Sequence, residues 1–365
     1  MAANYSYVGG SQSGYLPQAT GQIIGFIRNP REFKIQRYIQ NVQAPAPVFA
    51  YSYIDPDQPV RIFNRAEFLW EDGAERPTGH WNLISWQMAK GETQRLDIPW
   101  MLGNQAIETT KKFSGWDPAQ VEQAQIASQM MTLRTSDVIT VCQTATNWGA
   151  NTADANVVNG GFGNWVNASS DPTSPFYLAI RKTFTNVMQV INLGTNGVIK
   201  YKDMRVVVNP VLATAMANTS EIYDYVKYGP FAEARQRGED VDMNEEWGLP
   251  HRYAGVEIVV EDAPQVTIQP QANVPGTGSF ASITLGQRAY VKDSHSAIFM
   301  SRPGGINAAY GSKNFSTVQL YFYKWEMAAY EYSDPRNERS EGHITEMRCA
   351  ILAAPLSGFL VTNCA

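Results

Sequence analysis

Between Val60 and Trp148 the chain runs from a long β-patterned, charged stretch into one of its longest helical patterns, Asp117 to Trp148. This succession constrains the fold most, because a protruding hairpin feeding a long rod suits a protein that touches its neighbours. The helix start is well signalled. Asp117 precedes Pro118, a good N-cap before a good first helical residue. Gln120 stands at the capping-box spacing, and Glu122 complements the positive end of the dipole. Ala124, Met131, Val138 and Ala145 recur every seven residues and form the expected core face. Ala127, Val141, Cys142 and Trp148 lie beside that stripe, and Gln123, Gln129, Arg134 and Asp137 lie off it. Gly149 is a natural stop. About 30 residues rising about 1.5 Å each predict a rod of roughly 45 Å. Ser128 and Thr135 interrupt a second apolar seam, which argues against a coiled coil. Met131 and Val138 are expected to face a sheet; a long core helix of an ordinary domain is the plainer reading.

Upstream, Val60, Ile62, Ala66, Phe68 and Trp70 show mostly period-two spacing with charged residues between. Asp72-Gly73 and Pro77-Thr78-Gly79 make a wide tip, and Trp81 to Trp100 returns with Lys90, Glu92 and Arg95 among apolar residues. The pattern reads as an exposed two-stranded excursion. An isolated hairpin is marginal in water, so it is expected to rest on another subunit. Lys90 reads as a solvated charge, with a cross-linking lysine as the alternative. Residues 1 to about 22 are rich in Gly, Ser, Gln and Tyr and read as a flexible arm. Arg28, Arg31, Lys34 and Arg37 follow at three-residue spacing. They read as a solvated basic face, or as a contact with an adjacent subunit and, to a lesser degree, packaged nucleic acid.

Beyond the long helix, residues 151–167 are Asn- and Gly-rich, and a second helical pattern covers Phe176 to Leu193. Met204 to Val208 is a fully apolar strand, and Pro210 opens a helix through Val211, Met216, Ile222 and Val226. Gly255 to Val260 and Phe280 to Leu285 read as strands, and β patterning dominates from Thr317 onward. The order implies an α+β fold.

A net charge of −5 gives no basic field for tight binding of DNA or a membrane surface. Cys142, Cys349 and Cys364 are too few and too scattered for a disulfide framework or a zinc site, and fit reduced thiols. No secretory signal is visible, and the apolar run Cys349 to Val361 is short and broken by Pro355 and Gly358. His80, His251, His295 and His343 lie far from one another and from the cysteines, so no metal, cofactor or catalytic constellation is expected. The Gly160-Gly161-Phe162-Gly163 run lacks the Lys-Ser or Lys-Thr of a phosphate loop. Glu245-Glu246-Trp247 and Trp70-Glu71-Asp72 are acid pairs beside tryptophan that a carbohydrate-active enzyme could use, and common surface features otherwise.

In its order of parts the chain resembles the major capsid proteins of tailed bacteriophages, the Hong Kong-97 type fold shared with herpesvirus shells and encapsulins. Residues 1–35 resemble the N-terminal arm, and 52–100 the extended loop, with AERPTGHWNL near its tip and ETQRLDIPWML returning. DPAQVEQAQIASQMMTLRTSDV resembles the spine helix, about 117–148, and GNWVNASSDPTSPFYLAIRK the entry to the second helix. MRVVVNPVLATAMANTSEIYDYVKYG, YAGVEIVVEDA and SITLGQRAYV resemble the axial domain, and GHITEMRCAILAAPLSGFLV the closing strands of the peripheral domain. The resemblance implies a peripheral domain of residues 36–51, 101–198 and 311–365 and an axial domain of 199–310. It implies inter-subunit contacts at Arg76, His80, Trp81, Lys90 and Arg95 of the loop, and at Arg28, Arg31, Lys34 and Arg37 of the arm. It implies a structural protein, not an enzyme, made in the bacterial host cytoplasm and carried in the virion capsid. Its pentamers and hexamers would form an icosahedral shell around double-stranded DNA, meeting a portal protein but no membrane. The family's long N-terminal coiled coil is missing, which implies a separate scaffolding protein or none; decoration proteins are left open. An encapsulin-like compartment storing protein is the alternative within the same fold.

Overall fold

The computed structural model describes residues 32–53, 87–114, 117–158, 164–195, 197, 199–228, 243–244, 246–266, 288–301, 316–324 and 326–365. After a 3-10 turn at Lys34–Tyr38 come strands β1 (Gln40–Gln43), β2 (Val48–Tyr53), β3 (Gln87–Glu92) and β4 (Gln94–Gly103). Helices α1 (Asn104–Ser114) and α2 (Pro118–Gln143) follow, then β5 (Thr152–Asp154), α3 (Ala155–Val158) and α4 (Ala179–Gly194). Next are β6 (Met204–Val208), α5 (Pro210–Ala217), α6 (Ser220–Tyr228), β7 (Met243–Asn244), β8 (Leu249–Pro250), β9 (Arg252–Tyr253) and β10 (Val256–Val260). The chain closes with β11 (Pro264–Val266), β12 (Arg288–Tyr290), β13 (Ala297–Ser301), β14 (Val318–Phe322), β15 (Ala328–Asp334), β16 (Arg339–Leu352) and β17 (Phe359–Thr362). The molecule is α+β, as the order of patterns predicts.

Two sheets organise the core. The six-stranded sheet has the order β5-β17-β13-β6-β10-β9 and is buried on both faces. Strand alternation divides its apolar residues. Val206, Val208, Ile258, Phe299 and Phe359 meet α4, α5 and α6 on one face. Val207, Val259, Ile298, Met300 and Leu360 meet α2 and the second sheet on the other. That explains why Met204–Val208 reads as an unbroken apolar run. In the second, five-stranded sheet, β16 pairs with β4 on one side and with β14 and β15 on the other, and β1 lies parallel to β14.

Helix α2 joins the two. Its first half packs Ala119, Ile126 and Met130 on Trp100 and Ile344 of the five-stranded sheet. Its second half sends Met131, Val138, Ile139 and Cys142 into the core between the sheets. Asp117 caps it, accepting from the Ala119 N–H at 3.1 Å. It ends earlier than the pattern to Trp148 predicts. The chain turns at Thr144, a 3-10 turn covers Ala145–Trp148, and the buried Trp148 indole donates back to the Cys142 carbonyl at 2.6 Å. That bond satisfies one of the carbonyls a helix end leaves open.

The segment expected as the end of a loose arm is core. Phe33 and Ile35 are buried between the sheets, and the Ile35 N–H donates to the buried Glu261 carboxylate at 2.8 Å. The last strand, β17, lies between β5 and β13 in the six-stranded sheet, with Leu360 in the cluster that holds the second half of α2.

Candidate assembly interface

The described part of the expected excursion divides in two. Strands β2 and β3 form a separate antiparallel ribbon. Strand β4, expected as part of the exposed return, pairs along Arg95–Gly103 with β16 of its own sheet. Trp100 explains the capture. Its ring lies flat on Gly342, its register partner, where a Cβ would leave no room, and it is buried against α2. Arg95 donates to Thr345 Oγ1 at 3.3 Å on the outer face of that sheet.

The ribbon covers one end of this outer face. Phe49 stacks on Tyr321 with centroids 4.5 Å apart, and Tyr51, Cys349 and Ile351 complete the cluster. Gly91 is what lets the Phe49 ring lie on β3, since a Cβ there would sit 2.6 Å from it. The ribbon's opposite face, with Val48, Ala50, Met88, Lys90 and Glu92, is exposed. Lys90 stands 3.9 Å from Glu92.

Under the sheet lies a buried charge cluster that the sequence reading missed. Arg134, assigned to the solvent side of the long helix, is buried and pairs with Glu346 of β16. Arg348 pairs with the same carboxylate and with Asp137 at 2.7 Å. The Arg134 guanidinium also lies 4.9 Å from the Phe322 ring centroid and donates to the Glu326 carbonyl at 3.1 Å. Burial, the largest effect, pushes the Glu346 carboxyl above its ordinary value while the two guanidiniums pull it back. The spacing 130-134-137 to a strand carrying Glu346 and Arg348 was the available signal, but a charge on a helix gives no hint of its partner's position.

The four residues of the expected core face divide by exposure. Met131 and Val138 are buried, whereas Ala124 and Ala145 are exposed. Ala145 lies past the helix end, in the 3-10 turn, so the seven-residue row outruns the rod. Ile126, Met130 and Ile139 take the missing places.

Of the basic row, Lys34 lies 3.7 Å from Glu246, one of the acids considered for sugar chemistry, and Arg37 is exposed. Nearby, Tyr38 donates to Glu257 at 2.8 Å, and Glu257 pairs with the buried Arg205 at 2.9 Å. Arg28, Arg31, Arg76, His80 and Trp81 lie outside the described residues, as does the Gly160–Gly163 run. Among the described residues no group of His, Cys, Asp and Glu could hold a metal, and no helix is long and apolar enough to cross a membrane.

No protein-family model and no curated protein matches the chain. Solved structures do. A phage-related protein from Bordetella bronchiseptica RB50 overlays with a TM-score of 0.55 at 9% identity, over 92% of this chain and 93% of its own. The chain has that protein's fold. The bacteriophage PhiM1 mature capsid matches at TM-score 0.48 and 14% identity, over 93% of this chain and 88% of its own. The capsid of an empty GTA particle matches at 0.49 and 10% identity, over 100% and 99%. The fold assignment rests on the first of these.

Proposed function

We propose that this chain is the major capsid protein of a tailed phage, a structural subunit that assembles with copies of itself through pentamers and hexamers into a closed icosahedral shell around double-stranded DNA. The observation that carries the reading is the end-to-end likeness to a phage-related protein, which spans nearly all of both chains. The order of arm, loop, long helix and closing strands supports it, and so does a ribbon that leaves one apolar-rich face in solvent. A net charge of −5 suits a lining that holds DNA without gripping it. On this reading the protein is made in the bacterial host and carried in the virion, and a portal, with scaffolding or decoration proteins where used, completes its partners. Peripheral and axial domains of the type named above would correspond broadly to the parts built on the five-stranded and six-stranded sheets.

Electron microscopy of the purified protein, with and without a phage genome in the expressing cell, tests this. Closed polyhedral particles containing DNA after infection are the expected result. Particles that retain host protein and exclude DNA would favour a storage compartment, and a monomer at every concentration would overturn the shell reading.

A further inference from the structure

Arg205 is a buried guanidinium with more donors than it has acceptors. It sits in β6 on the face of Val207, and its side chain is 2% exposed. Its Nη2 pairs with Glu257 Oε2 at 2.9 Å, and the other Glu257 oxygen accepts from the Tyr38 hydroxyl at 2.8 Å. Nε and Nη1 are buried as well and meet no acceptor among the described residues. A guanidinium carries five N–H donors, and a buried donor without an acceptor bears the full penalty of leaving water. Native proteins keep few such groups, and the usual reason for one is a partner from outside the chain.

The surroundings are positive. Arg252 of β9, at the edge of the six-stranded sheet, is the register partner of Glu257 and so rises on the same face. It is exposed and carries no ion pair among the described residues. The half-buried Tyr38 ring covers Arg205, with the guanidinium 5.2 Å from its centroid. Arg37 faces the same place. Burial and then Glu257 push the Tyr38 hydroxyl above its ordinary value, while Arg205 and Arg37 pull against them. Lys34 is turned to Glu246, 3.7 Å away. Three guanidiniums therefore stand about one carboxylate, and that carboxylate already serves two donors.

We propose that this edge of the six-stranded sheet binds a phosphate-type oxyanion between Arg205 and Arg252, the Tyr38 ring turning outward to admit it. Arginine suits the task. Its planar, weakly hydrated donor set matches the oxygens of phosphate and carries its charge into a buried site more readily than an ammonium does. The anion would give Nε and Nη1 their acceptors and offset the excess charge. The proposal goes beyond the shell reading and does not depend on it. The phosphate group could be free or part of a nucleic acid backbone, and the two are separated below.

Thermal melting of the full chain tests it, in rising sodium phosphate and in sodium chloride of matched ionic strength. The parent midpoint should rise with phosphate and level off, as it does for a ligand that binds only the native state. R252Q changes an exposed residue and should need about tenfold more phosphate for the same rise, the loss of one charge-assisted hydrogen bond. R205K keeps the buried charge without the planar donors and should show no saturable rise. K112Q removes one positive charge from α1, on another part of the molecule, and should behave as the parent. Anisotropy of a labelled short DNA duplex, with the same variants, identifies the source. Loss of duplex binding in R252Q assigns the site to a nucleic acid backbone, and a phosphate rise with no R252Q effect on the duplex assigns it to a free anion. If R205K does not fold, R252Q against K112Q decides. A parent whose midpoint follows ionic strength alone, or an R252Q that responds to phosphate as the parent and K112Q do, overturns the site. Particle formation by the parent, read separately in the microscope, decides the shell reading whichever way the site falls.

Discussion

Glu346 shows how much one side chain can hold. Its carboxylate lies between the guanidiniums of Arg134 and Arg348, all three buried. Removing one member of a buried ionic group strands the others and costs about 3–5 kcal/mol, though a well-packed apolar replacement of the whole group can be neutral. Glu346→Gln keeps the shape and removes the charge. It should lower the urea midpoint by an amount equivalent to about 3–5 kcal/mol, and a shift of under about 1 kcal/mol would mean that Asp137 and Glu326 already balance the two arginines. The cysteines give a second residue-scale test. Burial pushes the Cys142 thiol up to about 12, raises Cys364 further, and raises the half-buried Cys349 as well. A thiol whose value lies far above the working pH supplies almost no thiolate. At pH 8 a maleimide should modify the native protein slowly and at Cys349 first, with Cys142 and Cys364 reacting only after unfolding. Mass spectrometry of the peptides reads the order, and early labelling of Cys142 would contradict the packing at the end of α2.

Among the elements, α2 separates what the residue pattern reveals from what it hides. Its N-cap, its proline and its buried Met131 and Val138 are legible because they rest on local chemistry. Its end is not, since Trp148 closes the helix by a bond that depends on how the chain turns after Thr144. The seven-residue row misses in two ways: Ala124 stands in solvent on the helix, and Ala145 lies beyond its end. Strand β4 fails in another way. Its alternation is correct, but alternation cannot say whether the pairing strand is nearby or, like β16, more than 200 residues away. The candidate contacts were readable only as residue types: Lys90 stands exposed, whereas Met101 and Tyr332 share a face only through the register of β4, β16 and β15. Paired substitutions on α2 check the corrected face. Val138→Asp should bury a charge with no partner and cost several kcal/mol, with insoluble protein as an acceptable outcome. Ala124→Asp should stay within about 0.5 kcal/mol of the parent in a denaturant titration. Equal losses from both would restore the seven-residue row.

For the molecule as a whole, the segment from Phe33 to Gln43 ties the two sheets together. Phe33 and Ile35 lie in the shared core, Ile35 is held to Glu261 after β10, and β1 extends the other sheet beside β14. Ile35→Ala should cost about 2–5 kcal/mol. Because both sheets share the loss, amide exchange should quicken together in Val256–Val260 and in Val318–Phe322. Faster exchange in one sheet alone would mean that the segment belongs to that sheet and does not join them. The position of β17 carries a different consequence. This strand of four residues sits between β5 and β13, so the six-stranded sheet has a gap at its second place until residue 362 has left the ribosome. Pairings this distant in sequence close late and slowly. Until those four residues arrive, β5 and β13 keep facing edges unpaired, and a copy caught at that stage offers both to any strand that fits.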